Sequence, residues 1–598
     1  MTRRTFVRVV AGALAVCLGL GVVGAARMSI DPASPPPDAL GRWALDALDA
    51  ARLGRARPEP PGSWAGVGPI VVTAWSRGVP FARHVHEGAF VEAIDAASAR
   101  FAEDTHLVAQ PGWGSSGDDR VRFTVECVLG EGPLGPEVPW VKELGLVPIE
   151  EGLLARLDDG LAVLAPEELR SGSNYEGGVI TPIPDLTFGS PIDGLVGRLA
   201  RDLGVDRDEL LARGEVRRFR SHAITEARYP IETEVTEESL RRASVEGADF
   251  LLRHQHRDGK WTYVYSGATG RERQDAYNLP RHAGTTYFVA QVDSLHGHPA
   301  AREGALRALR WIDRFALRRC GEHPCVESYG RADVGSAALT VVAASEVLAK
   351  ADDPLARRLV EGLTGFLRSL QREDGELMHE FDLAEQRPID VQHMYYSGEA
   401  AFALLRAHEV LGDERDLEVA RRLMAHLTGA GWDFLGSRYY YGEEHWTCIA
   451  AGEGRGRADS EDAIDFCSRW LEFNDLLQYR AGETPWSSEG GFGVGPILLP
   501  RLTPVGSRTE AFINTYLLLR HHGRDTTQAR AVVERGLGEL LRWRWAPGPT
   551  HLFADPAGAH GGMPGSPVDL TSRNDFVQHA GSAWIRWAEV LREEREER

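Results

Sequence analysis

Apolar residues recur at helical spacing from about residue 237 to the C-terminus, where two kinds of helix alternate. One kind is amphipathic. The other begins with small or polar residues and then stays apolar on all sides, which is typical of a buried helix. Six segments are of this second kind: RHAGTTYFVAQVDSL, GSAALTVVAASEVLAK, SGEAAFALLRAHEVLG, HWTCIAAGE, RTEAFINTYLLLRHHG and HAGSAWIRWAEVLREE. They begin near residues 282, 335, 397, 445, 508 and 579, and a spacing of roughly 50 to 70 residues predicts one helical hairpin per repeat. We therefore expect an all-α (α/α)6 toroid over residues 230–598, with these six helices in its inner ring.

The chain from residue 68 to residue 229 has a different pattern, in which strand-like segments alternate with helices. Strands are predicted for PIVVTAW, ARHVHEG and RVRFTVECVL, and a hairpin for GLLARLDDGLAVLAP. Helices are predicted for FVEAIDAASARFAED and PIDGLVGRLARDLGV. We expect an α+β domain here, preceded over residues 27–67 by a proline-rich linker with one short helix.

Three segments of this domain resemble the AMME-candidate-region family, a small α+β fold of unsettled function. They are VTAWSRG, GLLARLDDGLAVLAP and LVGRLARDLGVDRDELLARGEVRRFRSHAITE. The family's Arg-Gly-Cys-Ile-Gly segment is replaced here by residues 83–88, so no role of that cysteine carries over. His84 and His86 share one face of a predicted strand and could hold a metal ion, but without a third ligand a solvated strand face is the alternative. No metal or cofactor is predicted.

The amphipathic helices carry a second resemblance. Phe250-Leu251, Gln255, Gly259 and Trp261 follow the frame Gly-x-x-Phe-Leu-x-x-x-Gln-x-x-x-Gly-x-Trp, and EGLTGFLRSLQREDGEL repeats most of it. This frame resembles the QW repeat of terpene cyclases. The resemblance implies a structural element at the end of an outer helix, with the glutamine closing the helix terminus. It also makes a terpene-cyclase-like enzyme an alternative function, although no Asp-x-Asp-Asp acid is present.

The N-terminus predicts export. Residues 2–8, TRRTFVR, resemble the twin-arginine export signal, and an uncharged, glycine-rich apolar stretch follows up to Ala26. An ordinary signal or an uncleaved anchor over residues 1–26 is the alternative, and an anchor would associate the protein with a membrane. We expect an exported protein that is periplasmic or anchored facing the periplasm.

Charge and cysteine content limit the function classes. The formal charge of −20 argues against nucleic acid as a partner. An oxidising compartment would allow disulfides among the cysteines after the signal. Cys320 with Cys325 and Cys448 with Cys467 are the predicted pairs, which leaves Cys127 without a partner.

Three loops that open inner helices repeat similar strings. They contain Arg281-His282-Ala-Gly-Thr, Arg387-Pro-Ile-Asp390-Val-Gln-His393, and Arg573-Asn-Asp575-Phe-Val-Gln-His579-Ala-Gly-Ser. Carboxylates and imidazoles that meet at one rim are suited to general acid–base chemistry. The predicted catalytic residues are Asp390, His393, Asp575, His579 and His282. The alternative is structural, because polar residues before a helix commonly cap it.

Aromatic and polar residues in the same loops favour a sugar ligand, since sugar rings pack on aromatic rings while their hydroxyl groups form hydrogen bonds. The predicted substrate-binding residues are Arg281, Arg387, Tyr395, Tyr396, Glu399, Trp486 and Glu489. The whole resembles carbohydrate-active toroids, which include glycosidases, uronate epimerases and polysaccharide lyases. We therefore expect an exported envelope protein that acts on a carbohydrate or other small molecule by hydrolysis, epimerisation or elimination. A non-catalytic binding or scaffold protein is a further alternative.

Replacing both Arg3 and Arg4 by lysine tests the export signal, because lysine keeps the positive charge but removes the arginine pair. We expect the precursor to accumulate in the cytoplasm, as measured by immunoblotting of cell fractions. Arg8→Lys is the control, since lysine is the residue of the signal at that position, and it should leave export intact. Normal export of the double variant would contradict the prediction.

Overall fold

The computed structural model describes residues 30–117, 120–134, 145–171, 192–226, 229–231, 233–275, 277–429, 445–484, 488–492, 499–546 and 550–598. Within these ranges, no helix is both long enough and apolar enough to cross a membrane.

The N-terminal part of the described chain contains an antiparallel sheet. Its strands are β1 (Ile70–Ser76), β2 (Val79–His86), β3 (Val121–Pro133), β4 (Glu151–Leu157), β5 (Gly160–Leu164) and β6 (Glu215–Ile224), in the spatial order β2-β1-β3-β6-β4-β5. β4 and β5 form the predicted hairpin, in which Leu157 pairs with Gly160. That this region folds as a domain of its own stays a prediction.

Six helices are described around the sheet. They are α1 (Asp38–Arg52), α2 (Phe90–Glu103), α3 (Thr105–Val108), α4 (Pro166–Arg170), α5 (Ile192–Asp202) and α6 (Arg207–Arg213). α1 is the short helix predicted within residues 27–67, and it packs against α2 and β3. Trp43 and Leu48 of α1 are buried in the same core as Ile70 and Val72 of β1. The apolar face of α1 therefore covers the sheet, while the boundaries of the linker stay a prediction.

From residue 233 onwards, the described chain forms helical hairpins. The outer helices are α7 (Glu237–Arg253), α9 (Pro299–Phe315), α11 (Pro354–Ser369), α13 (Glu414–Thr428), α15 (Glu461–Leu477) and α17 (Thr527–Trp543). The inner helices are α8 (Leu279–His296), α10 (Val334–Lys350), α12 (Tyr396–Leu411), α14 (Trp446–Glu453), α16 (Leu502–His521) and α19 (Asn574–Glu597). A short helix, α18 (Pro556–Ala559), precedes α19.

The inner helices close into a ring. Each one packs against the next along the chain, and α19 packs against both α16 and α8. The amphipathic α7 packs on α19, and α9, α11, α13, α15 and α17 each pack on an inner helix of the neighbouring hairpins. The inner helices begin close to the predicted starts, which confirms the toroid.

Short strands lie between an outer helix and the inner helix that follows it, and the sequence patterns did not predict them. β9 (Leu317–Cys320), β10 (His323–Ser328), β11 (Arg331–Asp333), β12 (Glu380–Asp382) and β13 (Arg387–Ile389) form one antiparallel sheet. β7 (Val264–Ser266), β8 (Arg271–Arg273) and β14 (Thr571–Arg573) form another.

Both predicted disulfides are present. Cys320 and Cys325 close the β9–β10 hairpin, with their Cα atoms 5.8 Å apart. Cys448 and Cys467 join α14 to α15, with a Cα–Cα distance of 5.6 Å. Cys127 is buried and not disulfide-bonded.

Glutamine side chains close the C-terminal ends of α7, α11 and α15. Each side-chain amide nitrogen donates two hydrogen bonds. One goes to a backbone carbonyl in the loop that follows the glutamine, and the other goes to a backbone carbonyl of a neighbouring outer helix. The acceptors are Gly259 and Gly304 for Gln255, Gly375 and Val419 for Gln371, and Gly490 and Val532 for Gln478. The glutamines therefore join neighbouring outer helices. This is the structural role that the resemblance to QW repeats implies, and the structure adds Gln478, which the sequence pattern missed.

A buried polar cluster joins the sheet region to the ring. His551 Nε2 lies 3.0 Å from Oε2 of Glu167 in α4, and Arg170 donates to the other oxygen of Glu167. Burial alone would raise the pKa of Glu167, but Arg170 and His551 lower it to about 2. The hydroxyl of Tyr229 donates to the carbonyl of Trp543 in α17. The two parts of the chain are therefore in specific contact.

Gln478→Ala tests the helix-closing role. The change leaves the buried carbonyls of Gly490 and Val532 without this donor, so we expect the free energy of unfolding to fall by about 1–3 kcal/mol. Gln528→Ala is the control, because Gln528 is an exposed glutamine of α17 and its loss should cost less than about 0.5 kcal/mol. Urea unfolding measures both. Equal stability of the two variants would contradict the role.

Candidate functional site

A cavity of about 270 Å³ opens at the end of the ring where the inner helices begin. Residues in or just before all six inner helices line it: Asn278, Pro280, Arg281, Leu339, Tyr395, Tyr396, Glu399, His445, Trp446, Thr503, Pro504, Ser507, Arg573, Asp575, Gln578 and His579. The ring places these helix N-termini around one opening, as the sequence predicts. Polar ligands are favoured at such a position, because the first backbone N–H groups of a helix have no partner within it.

Six of the predicted site residues lie in this cavity. They are Arg281, Tyr395, Tyr396, Glu399, Asp575 and His579. Their placement agrees with the predicted site, while their catalytic or binding roles stay predictions.

His282 does not line the cavity. Its ring is fully buried, with Nδ1 2.6 Å from the hydroxyl of Tyr277 and Nε2 3.2 Å from the carbonyl of Ala308 in α9. Burial lowers the pKa of His282 to about 4, so the ring is neutral at physiological pH. The assignment of His282 to the rim was wrong, because its side chain faces the outer helix.

Arg387 and Asp390 lie on the exposed surface of the β9–β13 sheet. Arg387 pairs with Glu385, and Asp390 pairs with Arg372 at 2.9 Å. The sequence placed them at a helix start, but α12 begins only at Tyr396. The intervening residues form a strand and a loop, which directs both side chains away from the cavity lining.

His393 lies beside the cavity without lining it. Its Nε2 atom is 3.0 Å from Oε1 of Glu380, and its ring centroid is 4.8 Å from that of Tyr396. His393 therefore packs against the outer side of Tyr396. The sequence predicted that His393 would contact the substrate directly.

Glu489 is a predicted binding residue that does not line the cavity. The backbone carbonyl of Glu489 accepts a hydrogen bond from Arg542 of α17, and Glu489 is absent from the lining. Trp486 lies outside the described residues.

A buried glutamate orients His579. The Nδ1 atom of His579 lies 3.2 Å from Oε2 of Glu510, a fully buried residue of α16. A carboxylate oxygen only accepts a hydrogen bond, so this contact requires the proton on Nδ1 and leaves Nε2 as the unprotonated nitrogen of the neutral ring. The side-chain amide nitrogen of Gln578 lies 3.3 Å from the same Nδ1 atom. Sequence reasoning missed Glu510, because it lies in the interior of an apolar helix.

His445 is a second cavity histidine that sequence reasoning did not select. It immediately precedes α14, and its ring centroid lies 5.3 Å from that of His579 and 5.6 Å from that of Tyr395. The segment HWTCIAAGE was recognised as an inner helix, and its first residue is this histidine. All six inner-helix segments begin with small or polar residues, so the first residue of this segment was also a candidate for the cavity.

Asp575 is held as an anion by two arginines. Arg573 donates to both carboxylate oxygens, at 2.5 and 2.8 Å, and Arg281 Nε lies 3.0 Å from Oδ2. Burial alone would raise the pKa of Asp575, but the two guanidinium groups outweigh it and the net pKa is lowered. Asp575 therefore positions charges at the opening and is not a proton donor near neutral pH.

Glu399 and Tyr396 form the wall contributed by α12. A Cβ atom at Gly335 would lie 2.4 Å from the Tyr396 ring and 2.7 Å from Oε2 of Glu399, so α10 and α12 approach this closely only with glycine there. Burial raises the pKa of Tyr396, and Asp333 and Glu399 raise it further. The tyrosine hydroxyl is therefore neutral.

Among the described residues, no cavity side chains form a close group of three histidine, cysteine or carboxylate ligands.

No protein family and no curated protein matches the sequence. Among solved structures, cellobiose 2-epimerase from Bacillus thermoamylovorans B4167 is similar over 59% of this chain and 99% of its own, with 11% identity and a TM-score of 0.46. A D-mannose isomerase is similar over 60% and 98%, with 11% identity and a TM-score of 0.45. An unsaturated glucuronyl hydrolase specific for heparin is similar over 60% and 98%, with 10% identity and a TM-score of 0.42. The assignment of the ring fold rests on the packing of its own helices.

Asp575→Asn tests the charge cluster. We expect a loss of about 1–3 kcal/mol in the free energy of unfolding at pH 7, since two partly exposed arginines lose their shared anion. The folded pKa of Asp575 is below its unfolded value. Its contribution is therefore complete above about pH 4 and is lost as the pH falls through the folded pKa.

Urea unfolding at several pH values should show the difference between the wild type and Asp575→Asn shrinking in acid. The control is Asp465→Asn, because Asp465 is an exposed carboxylate that pairs with Arg469 within α15. A difference that does not depend on pH would contradict the assignment.

Proposed function

We propose that the cavity binds a carbohydrate and that His445 and His579 transfer protons on it, in an epimerisation, isomerisation or elimination. The observation that carries this proposal is the pair of adjacent imidazoles in one cavity, with Glu510 behind one of them. Imidazole gains and loses protons near neutral pH, which suits it to general acid–base catalysis.

Adjacent rings can reach neighbouring atoms of one substrate. One histidine removes the proton from a carbon next to a carbonyl group, while the other donates a proton to the carbonyl oxygen. The carbon–hydrogen electron pair becomes the carbon–carbon double bond of an enediol, and the π pair of the carbonyl group moves to the oxygen that takes up the proton. Return of a proton to the other face of the first carbon, with loss of the new O–H proton to a histidine, re-forms the carbonyl group and gives the epimer. Return of a proton to the former carbonyl carbon, with loss of the proton of the neighbouring hydroxyl group to a histidine, moves the carbonyl group and gives the isomer.

The carboxylates of the cavity favour this chemistry over glycoside hydrolysis, which needs a carboxylic acid and a second carboxylate on either side of the sugar bond. Asp575 is paired with two arginines, and Glu510 is fully buried behind His579. Glu399 is then the remaining carboxylate among the described lining residues. A base-catalysed reaction uses the histidines directly.

The lining also favours a sugar over a prenyl substrate. Tyr395 and Trp446 offer aromatic faces, while Asn278, Arg281 and Glu399 offer hydrogen-bonding groups. The Arg281–Asp575 ion pair at the opening would be poorly matched to a hydrocarbon chain. A binding or scaffold protein without turnover is the remaining alternative.

We further propose that the protein is exported by the twin-arginine route and acts in the periplasm or at the membrane facing it. The two disulfide pairs support an oxidising compartment. We also propose that residues 68–229 form a domain similar to the AMME-candidate-region family. This similarity assigns no chemical activity to that region.

Proton exchange in D2O tests the proposed chemistry. The protein is incubated with a panel of reducing mono- and disaccharides and uronates, and NMR follows both product formation and deuterium entry at the carbon next to the carbonyl. We expect His579→Asn and His445→Asn to slow both by about 100-fold or more while the fold persists. His393→Asn is the control, because His393 lies outside the lining and touches Tyr396 only from the outer side, and its rate should fall far less than that of either cavity variant.

Sugar binding without deuterium entry or turnover would favour the binding protein. Release of a reducing sugar from a glycoside without deuterium entry would favour hydrolysis. If His393→Asn lost as much rate as His579→Asn, the cavity histidines would have no special role, and the proposal would be contradicted.

A further inference from the structure

Three metal-ligating side chains meet at the end of the ring opposite the cavity. His521 is the last residue of α16, His522 follows it, and Asp459 lies in the connection between α14 and α15. Each offers a ligand atom, and these atoms all lie within 4.8 Å of one another. Within the part of the chain that the structure describes, this is the one group of three such ligands.

The short α14 brings the three residues together. It has 8 residues, whereas the inner helices on either side of it, α12 and α16, have 16 and 20. The chain leaves the helix after Glu453, and the following loop occupies the space where further turns would lie. A Cβ atom at Gly456 of this loop would be only 3.3 Å from Nε2 of His521. The loop therefore lies directly against the end of α16 and carries Asp459 to the histidines.

The local charges suit a cation. Nε2 of His522 contacts Oδ2 of Asp459, which is only 12% exposed. The C-terminal end of α16 adds the partial negative charge of a helix terminus. Both histidines are exposed, so an ion can reach them from solvent.

We propose that Asp459, His521 and His522 bind a divalent transition-metal ion of the zinc type. Two imidazole nitrogens and one carboxylate oxygen are ligands that zinc accepts, and three protein ligands leave a fourth position for water. Magnesium and calcium prefer sites made of oxygen ligands alone, so they are disfavoured here.

A bound ion would connect two neighbouring hairpins of the ring. The Cys448–Cys467 disulfide already joins α14 to α15, and the ion would tie the loop between these helices to α16. This loop follows α14, which is the shortest inner helix and packs least against its neighbours. The site is separate from the cavity, so this inference does not depend on the proposed function.

Zinc titration of the metal-free full chain tests the site. Calorimetry measures the affinity for Zn2+, and thermal unfolding measures the change in Tm with one equivalent of the ion. We expect one Zn2+ to bind and to raise the Tm. His521→Gln and Asp459→Asn should each weaken the affinity by about 10-fold or more and abolish the Tm increase.

Two different variants are needed because one of them could disturb the fold. Their circular dichroism spectra and their Tm without zinc show whether the ring is intact. His256→Ala is the matched control, because His256 is another partly exposed histidine beside a carboxylate, 3.8 Å from Glu272, and it should bind zinc as the wild type does. Absence of zinc binding in the wild type, or equal affinity in the wild type and both folded variants, would overturn the proposal.

Discussion

Closure of the inner ring is the constraint on which the rest of the structure depends. A helix that is apolar on all sides must be covered on all sides, and in α10 every residue from 334 to 347 is buried. Six such helices satisfy this requirement when they surround one another and are themselves covered by amphipathic helices. Because they run in the same direction through the ring, their N-termini meet at one end. The cavity and its polar lining follow from that arrangement, and the two disulfides and the glutamines that join the outer helices only reinforce it.

Buried ion pairs lie between the inner helices. Arg406 and Arg586 both interact with Glu453 in the interior, at 3.1 and 3.8 Å. Arg586 also interacts electrostatically with Glu510, the residue that orients His579. Ion pairs of this kind are costly to bury unless every member has a partner. The orientation of His579 is therefore connected, through Glu510 and Arg586, to the packing of the helices.

The sequence predicted the ring well because helix burial is a property of many residues at once. The six inner helices and the closing glutamines Gln255 and Gln371 all follow from patterns that extend over a helix or repeat along the chain. The two disulfides were predicted from how close the cysteines lie in the sequence. The site was predicted less completely. Glu510 is one of three charged residues in α16, with Arg508 and Arg520, and no local pattern separates a residue that orients a cavity histidine from a member of a buried ion pair. β13 carries Arg387 and ends just before Asp390, and its three residues are too few for alternation to show.

The two His-Ala-Gly strings show most directly where local reasoning ends. His282 and His579 open inner helices with almost the same following residues, yet His282 contacts the carbonyl of Ala308 and the ring of Trp311 on the outer side, whereas His579 contacts Glu510 on the inner side. Successive residues of an α-helix are about 100° apart around its axis, so an offset of one or two positions decides which side a residue faces. That offset is set by how each helix rotates to pack against its neighbours. The sequence therefore shows which chemical groups are present, but the packing of the helices in the ring determines which of them reach the cavity.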